Sequence, residues 1–120
     1  MLSRIALIAR LSLGLLVSGC LLNVAHSQTA YPTKGLRIVV PFAPGGATDI
    51  LARMAAQHLT QVWAQPVVVE NKPGAGGNIG ADAGAKAAAD GYTLTLAAAG
   101  FMAVNPSLYT NLTYNSVTDF

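Results

Sequence analysis

The 120-residue sequence is poor in the residues that carry most protein chemistry. It has one cysteine, Cys20, two histidines, and only 10% charged residues. A single cysteine excludes a disulfide framework and a multi-cysteine metal site. Few charges combined with 52% hydrophobic residues exclude intrinsic disorder. Seven Lys and Arg stand against five Asp and Glu, a formal net charge of +2. Arg4 and Arg10 account for that excess: seven less two leaves five basic against five acidic residues from position 11 onward. No Lys/Arg cluster exists to track phosphates, which argues against nucleic acid. Past residue 30 His58 is the sole histidine, beside the apolar face of a helical pattern, where a boundary residue is the ordinary reading. No His/Cys/Asp group has metal-ligand spacing, no paired carboxylates occur, and there is no G-x-S-x-G. No enzyme activity and no cofactor are expected, and the length admits one small domain.

What is present begins with a leader. Arg4 and Arg10 precede an apolar run, Leu11 to Leu22, and Ala25-His26-Ser27 follows before Gln28. This is the pattern of a bacterial-style secretory signal over residues 1–27, cut between Ser27 and Gln28. The run is too short to cross a bilayer core, which needs roughly 20 apolar residues. Val17-Ser18-Gly19-Cys20 offers a second processing reading, a lipobox in which Cys20 is lipidated and anchors the chain. Either way the product is exported. Cleavage after Ser27 leaves 93 residues (120 less 27), without cysteine or net formal charge.

Residues 28–120 read as strand–helix units. Leu36 to Phe42 is rich in β-branched residues and predicts a buried strand. Pro44-Gly45-Gly46 breaks it. Ile50, Leu51, Met54, Ala55, Leu59, Val62 and Trp63 then fall on one helix face, with Thr48 as N-cap and Asp49 at the positive end of the helix dipole. Gln65-Pro66 ends that helix. Val67 to Glu70 predicts a second strand, Asn71 to Gly77 a glycine turn, and Ile79 to Ala89 an alanine-rich helix closed by a left-handed Gly91. Tyr92 to Leu96 predicts a third strand, ended by Ala97-Ala98-Ala99-Gly100. The β-α-β-α-β order implies an α/β domain with a parallel sheet. Ligands of such sheets bind beyond the carboxyl ends of the strands, and all three strands here end in small or glycine-rich loops.

The first loop, Gly45-Gly46-Ala47-Thr48-Asp49, offers bare amides and a helix N-terminus to a carboxylate or phosphate. Thr48 adds a hydroxyl donor. Asp49 would repel an anion, so it binds a ligand ammonium or hydroxyl, or orders the loop. The second loop, Gly74-Ala75-Gly76-Gly77-Asn78-Ile79-Gly80, sits where a dinucleotide fingerprint would. G-x-G-x-x-G from Gly74 would need glycine where Ile79 stands, and no Gly-Lys-Ser/Thr occurs, so no nucleotide is expected.

The motifs together resemble a known family. Pro41-Phe42-Ala43-Pro44-Gly45-Gly46-Ala47-Thr48-Asp49 is similar to the first ligand loop of the Bug proteins, the periplasmic substrate-binding proteins of tripartite tricarboxylate transporters. The likeness continues through Gln65 to Gly80, Asp90 to Leu94, Asn105 to Tyr109 and Val117 to Phe120. It implies a type II periplasmic-binding-protein fold, of which residues 28–120 would be the N-terminal part of lobe 1. It also implies a small carboxylate ligand, held by loop backbone and ordered water, and delivered to membrane transporter subunits or a sensor. Carried over, the ligand contacts would be Phe42, Gly45, Gly46, Thr48 and Asp49, with Ala98, Ala99 and Gly100 as a second wall. Gly74, Ala75, Gly76 and Gly77 are weaker candidates.

Two departures stand out. Ala97-Ala98-Ala99 replaces the polar residues that the family often carries after the third strand. Leu112-Thr113-Tyr114-Asn115-Ser116 replaces a Leu-Pro-Tyr-Asp-Pro run. The sequence is also roughly a third of a family member's length, so a truncated product with weak or absent binding is expected. The alternatives are a non-functional fragment or a small exported α/β enzyme.

Overall fold

A computed structural model describes residues 31–120. The expected leader, its Ser27–Gln28 cleavage site and Cys20 lie outside the described residues. In chain order the elements are β1 (Leu36–Val40), α1 (Ala47–Trp63), β2 (Val67–Asn71), α2 (Asn78–Ala85), β3 (Thr93–Thr95) and α3 (Asn105–Leu108). A 3-10 turn over Ala75–Gly77 leads into α2, and a π-helical stretch over Gly100–Val104 leads into α3.

The sheet is parallel with strand order β2-β1-β3. Ile38 lies opposite Val69 on one side and Leu94 on the other. The β-branched run Ile38-Val39-Val40 takes the central strand, where both faces are covered, and all three residues are buried. The chain steps from β1 outward to β2, then back across β1 to β3. Right-handed crossovers in opposite directions place α1 and α2 on opposite faces. Ala52 and Ala56 of α1 pack on Ile38 and Val40, with Val67, Val69 and Leu96 around them. On the other face Gly80 of α2 abuts Pro41, and Gly84 abuts Thr95. Ala81 joins Phe101 and Tyr114 in a second cluster, and Phe42 touches both.

The expected β-α-β-α-β order and parallel sheet are present; several details differ. The face of α1 read from its large apolar residues is not the buried one. Ile50, Leu51, Met54 and Val62 are each more than half exposed, whereas Asp49, Ala52 and Ala56 face inward. The helix lies close to the sheet, and close approach selects small side chains over large ones. Thr48 is not the N-cap: Gly46 is, without a side-chain cap. Asp49 instead reaches back past the N-cap to the Gly45 N–H, tying the loop before the helix to its first turn. α2 stops at Ala85, four residues early, because the Ala87 N–H bonds the Gly84 carbonyl and tightens the chain out of the helix. Gly91 is left-handed, with φ 78°, but belongs to a turn ahead of β3 and caps no helix.

Candidate functional site

Strand order decides where a ligand can sit. β1 and β3 are neighbours, yet the chain leaves β1 toward β2 and arrives at β3 from β2, so the loops beyond β1 and β3 diverge. Such divergence marks the carboxyl-edge position where open parallel sheets usually have their ligand crevice. The two loops singled out from the sequence flank that position. Phe42, Ala98 and Met102 all pack against the buried cluster of Ala81, Phe101 and Tyr114, and the Phe42 ring lies 6.5 Å from that of Phe101. Gly45 (φ 84°) and Gly100 both face open space, with nothing within 4 Å of where a Cβ would stand. The first hydrogen bond within α1 runs from the Ile50 N–H to the Gly46 carbonyl. The N–H groups of Ala47, Thr48 and Asp49 therefore precede the helical ladder and point out of its positive end. Thr48 is half-buried beside them, while Ala99 and Gly100 are exposed on the facing loop.

Asp49 differs from its loop neighbours. Only 3% of it is exposed, and both oxygens are occupied. Oδ2 accepts from the Gly45 N–H at 2.9 Å and from Arg53 Nε at 2.9 Å. Oδ1 accepts from Asn71 Nδ2 at 2.8 Å. The Arg53 guanidinium first, then the Gly45 amide and Asn71, hold the Asp49 carboxyl far below the ordinary carboxylate range. Of the two roles open to Asp49 in the sequence, this placement matches ordering of the loop.

The second loop reaches the same edge. The Gly77 Cα sits against Phe101, where a Cβ would lie 2.9 Å from the ring, and Gly76 faces Asn105 and Tyr109. Asn105 Nδ2 donates to Asn78 Oδ1 at 2.6 Å and to the Gly76 carbonyl at 3.4 Å. The buried Tyr114 hydroxyl lies 2.9 Å from Asn78 Oδ1 and 2.7 Å from the Phe101 carbonyl. Sequence reasoning missed Arg53, Asn71, Asn78, Asn105 and Tyr114. An available signal was the Asp49–Arg53 pair at i,i+4 spacing. Pro106, near the first position of α3, was another.

Two grooves among the described residues lie elsewhere. One of about 630 Å³ lies toward the amino end of the sheet, between Lys34, Arg37, Glu70 and Tyr92. Another of about 580 Å³ runs between α1 and the β2 edge. The loops beyond β1 and β3 line neither groove.

Residues 51–120 match the tripartite tricarboxylate transporter family receptor. The chain belongs to this receptor family. It is 43% identical over 108 residues to Protein BugT of Bordetella pertussis, covering 89% of this chain and 33% of BugT. The periplasmic binding protein BugD shares 47% identity at a TM-score of 0.70, over 75% of this chain and 30% of BugD. MatC of Rhodopseudomonas palustris with bound malate shares 38% identity at a TM-score of 0.70, over 75% of this chain and 31% of MatC. The expected Bug resemblance is thereby established, and the three-stranded unit corresponds to part of a periplasmic-binding-protein fold. The chain spans about a third of the length of the curated relative BugT, at 33%.

Proposed function

We propose that this receptor-family chain supplies one wall of a cleft that binds a small carboxylate in the periplasm. The ligand would pass to the membrane subunits of a tripartite tricarboxylate-type transporter, or be reported to a sensor. The carrying observation is the strand order, which puts the switch point between the loops beyond β1 and β3, together with the unpaired amides of the first turn of α1 at that edge. The positive end of a helix and bare glycine amides suit a carboxylate. The proposed contacts are Phe42, Gly45, Gly46 and Thr48 on one side and Ala98, Ala99 and Gly100 on the other, with Gly74 to Gly77 as a flanking turn. Asp49, first considered a contact, serves the site from behind by holding the Gly45 amide. Binding and closure of two walls constitute the mechanism, and no reaction is proposed. Malate bound to MatC supports the ligand class. The names of the relatives and the leader-like N-terminus support the location. Among the described residues no helix is long and apolar enough to cross a membrane.

One wall buries too little of a ligand for tight binding. Calorimetry with malate and a panel of di- and tricarboxylates tests the reading. These residues alone should bind no tighter than about 1 mM. Micromolar affinity would overturn the one-wall assignment. Amide shifts induced by malate should map to Gly45–Thr48 and Ala98–Gly100, and shifts confined to other residues would overturn the site.

A further inference from the structure

The loop that presents the proposed ligand amides is exposed from Ala43 to Gly46, yet its shape is set from beneath by two side chains outside it. Asn71, the last residue of β2, donates from one nitrogen to both ends of the loop: to the Phe42 carbonyl at 3.1 Å and to Asp49 Oδ1 at 2.8 Å. Its own Oδ1 accepts from Arg53 Nη2 at 3.1 Å. Arg53 Nε donates in turn to Asp49 Oδ2 at 2.9 Å. Asp49, Arg53 and Asn71 thus close a ring of hydrogen bonds. The ring's remaining acceptor position takes the Gly45 N–H, fixing a glycine whose φ of 84° has no steric support nearby.

We propose that Asn71 and Arg53 are positioning residues of the ligand loop, acting through Asp49 to hold the Phe42–Asp49 segment in the shape that aims its amides into the crevice. This inference rests on the carboxylate reading of the loop. Asn71 spans the loop ends, so its loss frees both. Arg53 orients the carboxylate and the amide together. Its side chain is 55% exposed, so it contributes little to packing. Neither residue touches the ligand.

The test uses the isotopically labelled full chain, with Asn71→Ala, Arg53→Ala and Arg53→Lys variants. Amide exchange at Gly45 should accelerate about tenfold or more in both alanine variants, while Ile38, Val39 and Val40 of β1 stay within about twofold. Arg53→Lys keeps the charge but loses the planar fork, so it should restore part of the protection. Malate-induced shifts at Gly46–Thr48 should shrink in the same order as protection is lost. Unchanged Gly45 exchange in both alanine variants would overturn the inference. So would β1 amides accelerating equally, which would show global loosening. Loss of protection with malate shifts left intact would also overturn it, because the ring would then be structural only. Absence of malate shifts in the unmodified chain would overturn the carboxylate reading instead, leaving Gly45 exchange to decide the ring.

Discussion

Gly80→Ala sets two tendencies of α2 against each other. In a free helix alanine is favoured over glycine by about 0.8–1 kcal/mol, so propensity alone predicts a more stable protein. The packing predicts the reverse. A Cβ at Gly80 would lie 2.6 Å from Pro41 Cα, 2.7 Å from Pro41 Cβ and 2.8 Å from the Lys72 carbonyl oxygen. Ordinary contact begins at 3.4 Å, so α2 must retreat by 0.8 Å (3.4 less 2.6). Two of those obstacles are backbone and cannot rotate aside. Overpacking costs about 1–3 kcal/mol, and the immobile walls put this case near 3. Subtracting propensity leaves a net loss of about 2 kcal/mol, or roughly 8–16 °C in Tm for a domain this size. Gly84→Ala is the internal comparison. Its Cβ would meet the Thr95 hydroxyl, which can swing away, and Thr95 Cβ at 3.1 Å, which need yield only a few tenths of an ångström, so a smaller loss of about 1 kcal/mol is expected. Gly100→Ala, with nothing within 4 Å, should stay within about 0.5 kcal/mol. Thermal melts by circular dichroism, cross-checked by Trp63 emission, would rank the three. A Gly80→Ala protein as stable as its parent would refute the claim that α2 is held against the roots of the first two loops by glycine.

Ile38→Ala should cost about 3 kcal/mol because Ile38 is 5% exposed at the sheet centre, whereas Ile50→Ala and Met54→Ala on the outer face of α1 should each stay within about 0.5. Urea midpoints check this, and equal losses at all three positions would return the buried face to the larger residues. Tyr114→Phe should cost about 1–2 kcal/mol by stripping the hydroxyl from Asn78 and the Phe101 carbonyl, with an unchanged midpoint as the refuting result. Asp49, Glu70, Asp82 and Asp90 are all lowered, chiefly by Arg53, Lys72, Lys86 and the Tyr92 amide respectively. Their folded pKa values lie below the unfolded ones, so their stabilisation is complete above the usual carboxylate range near 4 and is lost as pH falls through the folded values. Urea midpoints should hold from pH 7 to about 5 and decline steadily below 4; a midpoint constant to pH 2 would contradict the sign.

Much of this was legible in the sequence because local physics decided it. The β-branched Ile38-Val39-Val40 run became the central strand, and the glycine loops fell at the carboxyl edge. Three features were not legible. Strand order depends on which pairs form, and β-α-β-α-β is compatible with more than one order, so the switch point between β1 and β3 could not be located. The buried face of α1 followed the contact distance to the sheet, which favoured Ala52 and Ala56, while periodicity tracks side-chain hydrophobicity alone. The ring of Asp49, Arg53 and Asn71 joins positions 22 apart in sequence, and no local pattern encodes that meeting. Asp49 is conspicuous in the sequence because it sits in a glycine loop; its partners lie in regular elements, where nothing local marks them.

The charge arrangement bears on how the proposed site would hold an anion without a lysine or arginine aimed at it. Among the described residues every cation has a carboxylate partner: Lys34 with Asp90, Arg37 and Lys72 with Glu70, Arg53 with Asp49, and Lys86 with Asp82. Attraction for a carboxylate at the rim therefore falls to peptide dipoles. Each helix end contributes about 0.3–1 kcal/mol, and up to about 2 where partly buried. The two longer helices that begin at this edge, α1 and α2, then supply at most about 4 kcal/mol, which corresponds to a Kd near 1 mM. Micromolar binding needs about 8 kcal/mol, so the other half must come from a facing wall that excludes water and strengthens the same dipoles. On the proposed reading, a neutral, glycine-rich wall that leaves a carboxylate half-satisfied would make affinity depend on closure, so capture of the ligand and the closed state that a transporter could recognise would become one event.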